Sequence, residues 1–196
     1  KTAYEIKECD WSSDVCSSDL ILNGGASISG FQLQTSGDAV RFNGAVTLQS
    51  AVSLDTDDTD SNAQGGTITF TNDAPIDSQT GEHNYFQLDA GTGSIVFNED
   101  IGAAAASSSI GIFTVHEADA GITFGAADTE TAFTGGSGPV NTINTDGAIN
   151  LGELTNVIGG TGITFNGGAS LLTIQTTGDS VRINGAVTLQ SDLRID

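Results

Sequence analysis

Four aspartates lie close together in the segment LDTDDTDSNAQGG, directly after a short apolar stretch. They are Asp55, Asp57, Asp58 and Asp60. Carboxylate oxygens are the ligands that Ca²⁺ prefers in proteins. The segment is not an EF-hand, because Ala63 stands where that loop needs glycine and Thr69 stands where it needs glutamate. We therefore expect at most weak calcium binding at these four aspartates, with a solvated acidic loop as the alternative and no other cofactor.

The remaining residue types that do chemistry are scattered along the chain. His83 and His116 lie in different segments without a His-x-x-His or Glu-x-x-His pattern, so we expect surface or loop histidines rather than metal ligands. No serine has a Gly-x-Ser-x-Gly setting, and the glycine loops GGSGP and GGTG lack the lysine and the following helix of a phosphate-binding loop. The sequence therefore predicts no catalytic residue, and a protein that is not an enzyme.

The first twenty residues, KTAYEIKECDWSSDVCSSDL, differ in composition from the rest. Read back into codons, they resemble the translated constant parts of a sequencing-library adapter. We therefore treat residues 1–20 as a non-native segment, disordered or loosely packed, and residues 21–196 as the protein itself. Both cysteines, Cys9 and Cys16, fall in the excluded segment, so they give no argument for a disulfide.

The chain is strongly acidic. It carries 25 acidic and 5 basic residues, a formal net charge of −20. Beyond residue 20 the only cationic side chains are Arg41, Arg182 and Arg194. Such a surface cannot neutralise phosphates, which excludes nucleic acid as a partner. No apolar run approaches the length of a membrane span, so we expect no direct span.

The dominant sequence rhythm has a period of two. Segments such as AVRF, AVTL, TITF, SIVF and GITF alternate large apolar residues with polar or small ones, and Gly, Asn, Asp and Ser separate them. This pattern is typical of short β-strands, and no stretch keeps a helical period. The sequence predicts an all-β fold.

A second period, of six residues, decides between two all-β architectures. Val40, Val46 and Val52 are six positions apart, with Asn43-Gly44 between the first two. A hairpin at Asn43-Gly44 would belong to an antiparallel β-sandwich, and it would set Arg41 opposite Val46 and split the apolar residues between two faces. If Asn-Gly is instead a corner, all the apolar residues share one interior. We therefore expect a right-handed parallel β-helix, or β-solenoid, with coils of about eighteen to twenty residues, and keep the antiparallel sandwich as the alternative.

A segment of fourteen residues occurs twice. GDAVRFNGAVTLQS at residues 37–50 returns as GDSVRINGAVTLQS at residues 178–191, an offset of 141 residues. At the expected coil length this offset corresponds to about seven coils. Together with GGTITFTND and GAINLGELTNVIGGTGITFNGG, these segments resemble the β-strand repeat regions of large bacterial surface proteins, namely filamentous-haemagglutinin-like adhesins and autotransporter passenger domains.

The resemblance implies a structural stalk segment of a secreted or surface-exposed bacterial adhesin that mediates cell or surface attachment. Its partners would be an unidentified host-cell or surface receptor or glycan, and neighbouring repeat units of the same chain. We expect an internal fragment of a longer protein, located outside the cell or on its surface. Two alternatives remain, a fragment of a polysaccharide-acting β-helix enzyme and a glycan-binding module. The module would need exposed aromatic side chains among Tyr85 and the nine phenylalanines.

Overall fold

The fold is known from a computed structural model that describes residues 20–25, 30–57, 65–103, 105–125, 140–152 and 157–196. These residues form eighteen short strands and one 3₁₀ turn, Ala106–Ser108. The predicted disorder of the first twenty residues lies outside this part of the chain except for Leu20, which begins β1. No helix in the described ranges has the length and apolar character needed to cross a bilayer.

The strands form three faces. The first sheet contains β1 (Leu20–Leu22), β4 (Val46–Leu48), β7 (Ile76–Ser78), β12 (Thr142–Asn144), β15 (Leu172–Gln175) and β18 (Leu193–Ile195). Its two halves are joined through Ile101, which bridges Ile76 and Ile143. The second sheet contains β2 (Phe31–Gln34), β5 (Val52–Asp55), β8 (Phe86–Asp89), β10 (Phe113–Val115), β13 (Ile149–Leu151) and β16 (Val181–Ile183). The third sheet contains β3 (Val40–Phe42), β6 (Ile68–Phe70), β9 (Ser94–Phe97), β11 (Gly121–Phe124), β14 (Ile158–Phe165) and β17 (Gly185–Leu189).

Every strand pairing among the described residues is parallel. The chain passes through the first, second and third sheets in turn and then returns to the first, and we call one such passage a coil. Strands that follow each other along the chain lie in different sheets. The fold is therefore all-β with parallel sheets, as predicted, and the antiparallel sandwich is wrong for the described strands.

The Asn43-Gly44 step is a corner and not a hairpin. β3 ends at Phe42 on the third sheet, and β4 begins at Val46 on the first. Val46 is only 1% exposed, and Val52 and Phe42 belong to the same buried core. Because the chain turns onto a new face at the corner, apolar residues on both sides of Asn-Gly point into one interior, as predicted.

The coils are longer than the sequence period predicts. Hydrogen bonds between neighbouring coils join side chains 21 positions apart at Gln34 and Asp55, and groups 42 positions apart at Asp100 and Thr142. The expectation of eighteen to twenty residues a coil was wrong because only some corners are as short as Asn43-Gly44. Elsewhere consecutive strands are much further apart in sequence, since β5 ends at Asp55 and β6 begins at Ile68, and β11 ends at Phe124 and β12 begins at Thr142.

Aromatic rings stack along the interior of the third sheet. Phe42, Phe70, Phe97, Phe124 and Phe165 come from five successive coils, and each ring lies parallel to the next. Their centroids are 4.7, 5.2, 5.0 and 5.2 Å apart in that order. Identical residues in register therefore build one continuous column that ties each coil to its neighbours.

Glycine is required at one corner of the first sheet. Gly102 has φ of +66°, and a Cβ there would stand 2.1 Å from the backbone oxygen of Asn144. The Asn144 side chain in turn donates its Nδ2 to the Gly102 oxygen at 3.1 Å. The absence of a side chain thus allows two coils to approach at the corner and to be joined by an asparagine.

Candidate functional site

The candidate site lies where three strands of the second sheet end. Asp55, the last residue of β5, is paired in register with Asp89, the last residue of β8. His116 follows β10 directly, and its backbone N donates to the oxygen of Leu88 at 2.8 Å. Because parallel strands keep one register, Asp55, Asp89 and His116 occupy corresponding positions on three successive coils.

An imidazole and two carboxylates converge at this position. His116 Nδ1 lies 2.9 Å from Asp89 Oδ2, and their side chains are 30% and 15% exposed. Glu117 is the next residue, and its backbone oxygen accepts from Ala90 N at 2.9 Å. One potential ligand atom from each of Asp89, His116 and Glu117 lies within 4.8 Å of the other two. We call these three residues the Asp-His-Glu cluster.

Asp57 lies beside the Asp-His-Glu cluster. Its backbone N donates to Asp55 Oδ1 at 3.0 Å, and one coil later Gly91 N donates to Asp89 Oδ1 at 3.0 Å in the same way. A Cβ on Gly91 would stand 2.7 Å from the Cβ of Asp57, so the two turns are closely packed. Only 8% of Asp57 is exposed. The repeated turn therefore sets a buried carboxyl group against the next coil.

Burial and neighbouring negative charges raise the pKa values of these carboxyl groups. Burial raises the pKa of Asp57 to about 6, and its hydrogen bond with Asp55 and the charge of Asp89 add to the rise. Burial also raises the pKa of Asp89, although the Gly91 amide and His116 act in the opposite direction. The pKa of Glu117 is raised by burial and then by the charge of Asp119. Desolvation is thus the first cause in all three cases.

The three arginines of the described residues lie on strands that do not adjoin this position. Arg41 lies on β3, Arg182 on β16 and Arg194 on β18, and none of these strands is a sheet neighbour of β5, β8 or β10. Arg41 Nε donates to Asn43 at 2.8 Å, and Arg194 pairs with Asp196. Within the described residues, His116 is the basic side chain that lies against the carboxylates of the cluster.

The structure describes two of the four aspartates predicted to bind calcium. Asp55 and Asp57 lie next to the Asp-His-Glu cluster, whereas Asp58 and Asp60 lie outside the described residues. The calcium hypothesis for the four aspartates stays a prediction.

The two histidines have different surroundings. His83 is a loop residue before β8, and its Nδ1 lies 2.8 Å from Ser109 Oγ. His116 instead contacts a carboxylate 27 positions earlier in the chain, so a search for local spacing could not find the pair. The sequence does hold a signal, because VSLD, FQLD and FTVH at residues 52–55, 86–89 and 113–116 align as successive strands.

Comparison with protein-family models, with curated proteins and with solved structures found no match. The chemistry of the site therefore rests on its own geometry. Close carboxylates with raised pKa values can share or release protons near neutral pH, and a mixed imidazole and carboxylate set can bind a divalent cation.

Proposed function

We propose that the chain is a structural stalk segment of a secreted or surface-exposed bacterial adhesin, folded as a right-handed parallel β-helix. The observation that carries the proposal is the stacking of parallel coils, with one column of phenylalanines running from Phe42 to Phe165. We infer that the helix is right-handed because the connections between parallel strands of one sheet are almost always right-handed.

A stalk is a suitable function for this architecture because each coil contacts only its neighbours. Stability then accumulates by nearest-neighbour stacking, and length can grow by adding coils. One fourteen-residue segment occurs both at residues 37–50 and at residues 178–191, whereas a catalytic cleft usually depends on residues that occur once, so the recurrence favours a structural role. The net charge of −20 supports a solvated exterior.

The proposed partners follow from this role. Neighbouring repeat units of the same chain extend the stalk, and a host-cell or surface receptor or glycan is bound by the adhesin. The large side chains of the phenylalanine column are buried, and the Tyr85 hydroxyl donates to Gln87 at 2.9 Å. We therefore place attachment in the adhesin as a whole and the spacing function in this segment.

The experiment requires antibodies raised against the purified chain. They are applied to the cells that produce the protein. A stalk on the surface predicts labelling of intact cells, and Fab fragments should reduce their attachment to a surface. Fab fragments against an internal protein of the same cells serve as the matched control. Labelling that requires lysis, or attachment that is unchanged by saturating Fab, would contradict the proposal.

One observation favours a second candidate, a polysaccharide-acting enzyme. Asp57, with its pKa raised to about 6, lies near Asp89 and Glu117, and glycoside hydrolases use carboxyl pairs of which one is kept protonated. This candidate predicts release of reducing sugar from a uronan or xylan panel, abolished by Asp57→Asn. Equal background release from the wild type and the variant would eliminate it.

A further inference from the structure

We propose that Asp89, His116 and Glu117 form a binding site for one divalent transition-metal ion of the Zn²⁺ class, which joins two successive coils. This site is separate from the stalk proposal, since a coil stack can serve as a spacer with or without the ion.

The geometry of the three groups supports the proposal. Their ligand atoms already lie within 4.8 Å of one another. Zn²⁺ binds imidazole nitrogen and carboxylate oxygen at about 2.0–2.2 Å, so two ligand atoms on a tetrahedral ion lie about 3.3 Å apart. His116 Nδ1 and Asp89 Oδ2, now 2.9 Å apart, need to separate by only about 0.4 Å to bind the same ion. Side-chain rotation supplies this adjustment without moving a strand.

The backbone holds the ligands on a rigid support. His116 N donates to Leu88 O at 2.8 Å, and Ala90 N donates to Glu117 O at 2.9 Å, so the chain on both sides of Asp89 is hydrogen-bonded to the segment that carries the other two ligands. Sites built on paired strands keep their geometry better than sites on free loops. Binding therefore requires little ordering of the backbone.

The choice of ion follows from the donor atoms and the charge. An imidazole favours Zn²⁺ and similar ions over Ca²⁺ and Mg²⁺, which prefer oxygen ligands alone. Asp57 and Asp55 add negative charge next to the site, and no arginine is on a neighbouring strand within the described part of the chain. A divalent cation would offset this charge. Three protein ligands also leave one position of a tetrahedral ion for water.

The experiment is calorimetric titration of the full chain with ZnCl₂ after removal of metal with EDTA. Because thiols bind Zn²⁺, all proteins carry Cys9→Ser and Cys16→Ser. We expect one Zn²⁺ per chain, with affinity reduced at least tenfold by His116→Gln and by Glu117→Gln. His83→Asn is the matched control, since it removes the other imidazole of the chain and should leave the affinity unchanged.

Two further measurements separate metal binding from folding. Each variant is compared with its own metal-free form, so a variant that is merely less stable would still show the Zn²⁺-dependent rise in Tm. Glu117→Gln leaves the contact between the His116 and Asp89 side chains in place, which makes it the safer variant. In NMR spectra, Zn²⁺ should shift the ring signals of His116 and leave those of His83 unchanged.

The results that would overturn the proposal are equally specific. They are the absence of binding heat in the cysteine-free protein, an affinity that His116→Gln leaves unchanged, or an equal loss in His83→Asn. Each of these outcomes leaves the stalk proposal untouched, because that proposal is tested on intact cells.

Discussion

Val46 and Val187 occupy the same position of the repeated fourteen-residue segment, but they lie on different faces of the fold. Val46 belongs to β4 on the first sheet, and Val187 belongs to β17 on the third. The preceding strands differ likewise, since β3 is on the third sheet and β16 on the second. The repeat of 141 residues is therefore not a whole number of coils, and its second copy is turned by one face.

The two valines also differ in what covers them. Val46 pairs with Leu20 on one side and Ile76 on the other, and it is 1% exposed. Val187 pairs with Ile163 on one side and is 47% exposed. Val46→Ala should lower the free energy of unfolding by about 2 kcal/mol, because it removes buried methyl groups and leaves a cavity.

Val187→Ala is the matched control, since its neighbours in sequence are the same. It should change the free energy of unfolding by less than about 0.5 kcal/mol. Urea unfolding followed by circular dichroism measures both values. Equal losses at the two positions would contradict the stacking order described above.

Substitution of a phenylalanine at the centre of the column should cause a large loss of stability. Phe97 stacks on Phe70 and Phe124 and meets the edge of Phe113 at 5.7 Å. Phe97→Ala should cost about 3–5 kcal/mol in urea unfolding, since three rings lose their partner. Phe31, which is partly buried, is the comparison. If Phe31→Ala lowered the free energy of unfolding as much as Phe97→Ala, the column would contribute no more to stability than a partly buried phenylalanine outside it.

Asp100 connects two coils across a long segment of chain. Its Oδ1 accepts from Asn141 N at 2.7 Å and from Thr142 N at 2.9 Å. Asp100→Ala leaves two backbone donors without this acceptor, so we expect a loss of about 1–3 kcal/mol. Asp179→Ala, at an exposed position, should be neutral. Urea unfolding measures the stability of both variants. Equal stability would contradict a stabilising role of the Asp100 carboxylate.

The raised pKa values predict that the fold gains stability as the pH falls. Asp57 has a pKa of about 6 in the folded chain and 3.8 ordinarily, so between these values the folded state binds more protons than the unfolded state. The free energy of unfolding therefore increases as the pH falls through this window. The raised pKa values of Asp89 and Glu117 act with the same sign. Tm should be higher at pH 5 than at pH 7.5.

Asp57→Asn separates this effect from the general repulsion of an acidic protein. At pH 7.5 the variant should be more stable than the wild type by about 1–3 kcal/mol, and the difference should vanish near pH 4. Asp179→Asn removes the same charge at an exposed position and should not reproduce the effect. A wild type whose Tm falls steadily from pH 7.5 to pH 5 would contradict the prediction.

The sequence predicted the parts of the fold that depend on local pattern. The six-residue spacing of Val40, Val46 and Val52 was enough to identify Asn43-Gly44 as a corner, because a hairpin would have divided the apolar residues between two faces. Coil length depends instead on how many residues each corner holds. The apolar period does not encode this number, so the turn of one face between the two copies could not be predicted.

The candidate site shows the same limit. Asp55 and Asp57 are close in sequence, so the sequence alone indicates that they are possible ligands. Asp89 and His116 are 27 positions apart, and they meet only because the connection between β8 and β10 brings the two strands into register. The length of the coil between Asp89 and His116 therefore decides that this imidazole meets this carboxylate.

Among the described residues the strands stack in parallel, and the chain does not fold back on itself at Asn43-Gly44. Ser53 and Gln87 are direct partners on β5 and β8, whereas a hairpin at Asn43-Gly44 would set Arg41 opposite Val46. Cysteine pairs at these positions, in a Cys9→Ser and Cys16→Ser background, measure the difference directly, since a disulfide needs Cα atoms about 4.4–6.8 Å apart. Mild oxidation of dilute protein should cross-link Ser53→Cys with Gln87→Cys within one chain and leave Arg41→Cys and Val46→Cys reduced. Cross-linking of the second pair and not the first would contradict the parallel stack.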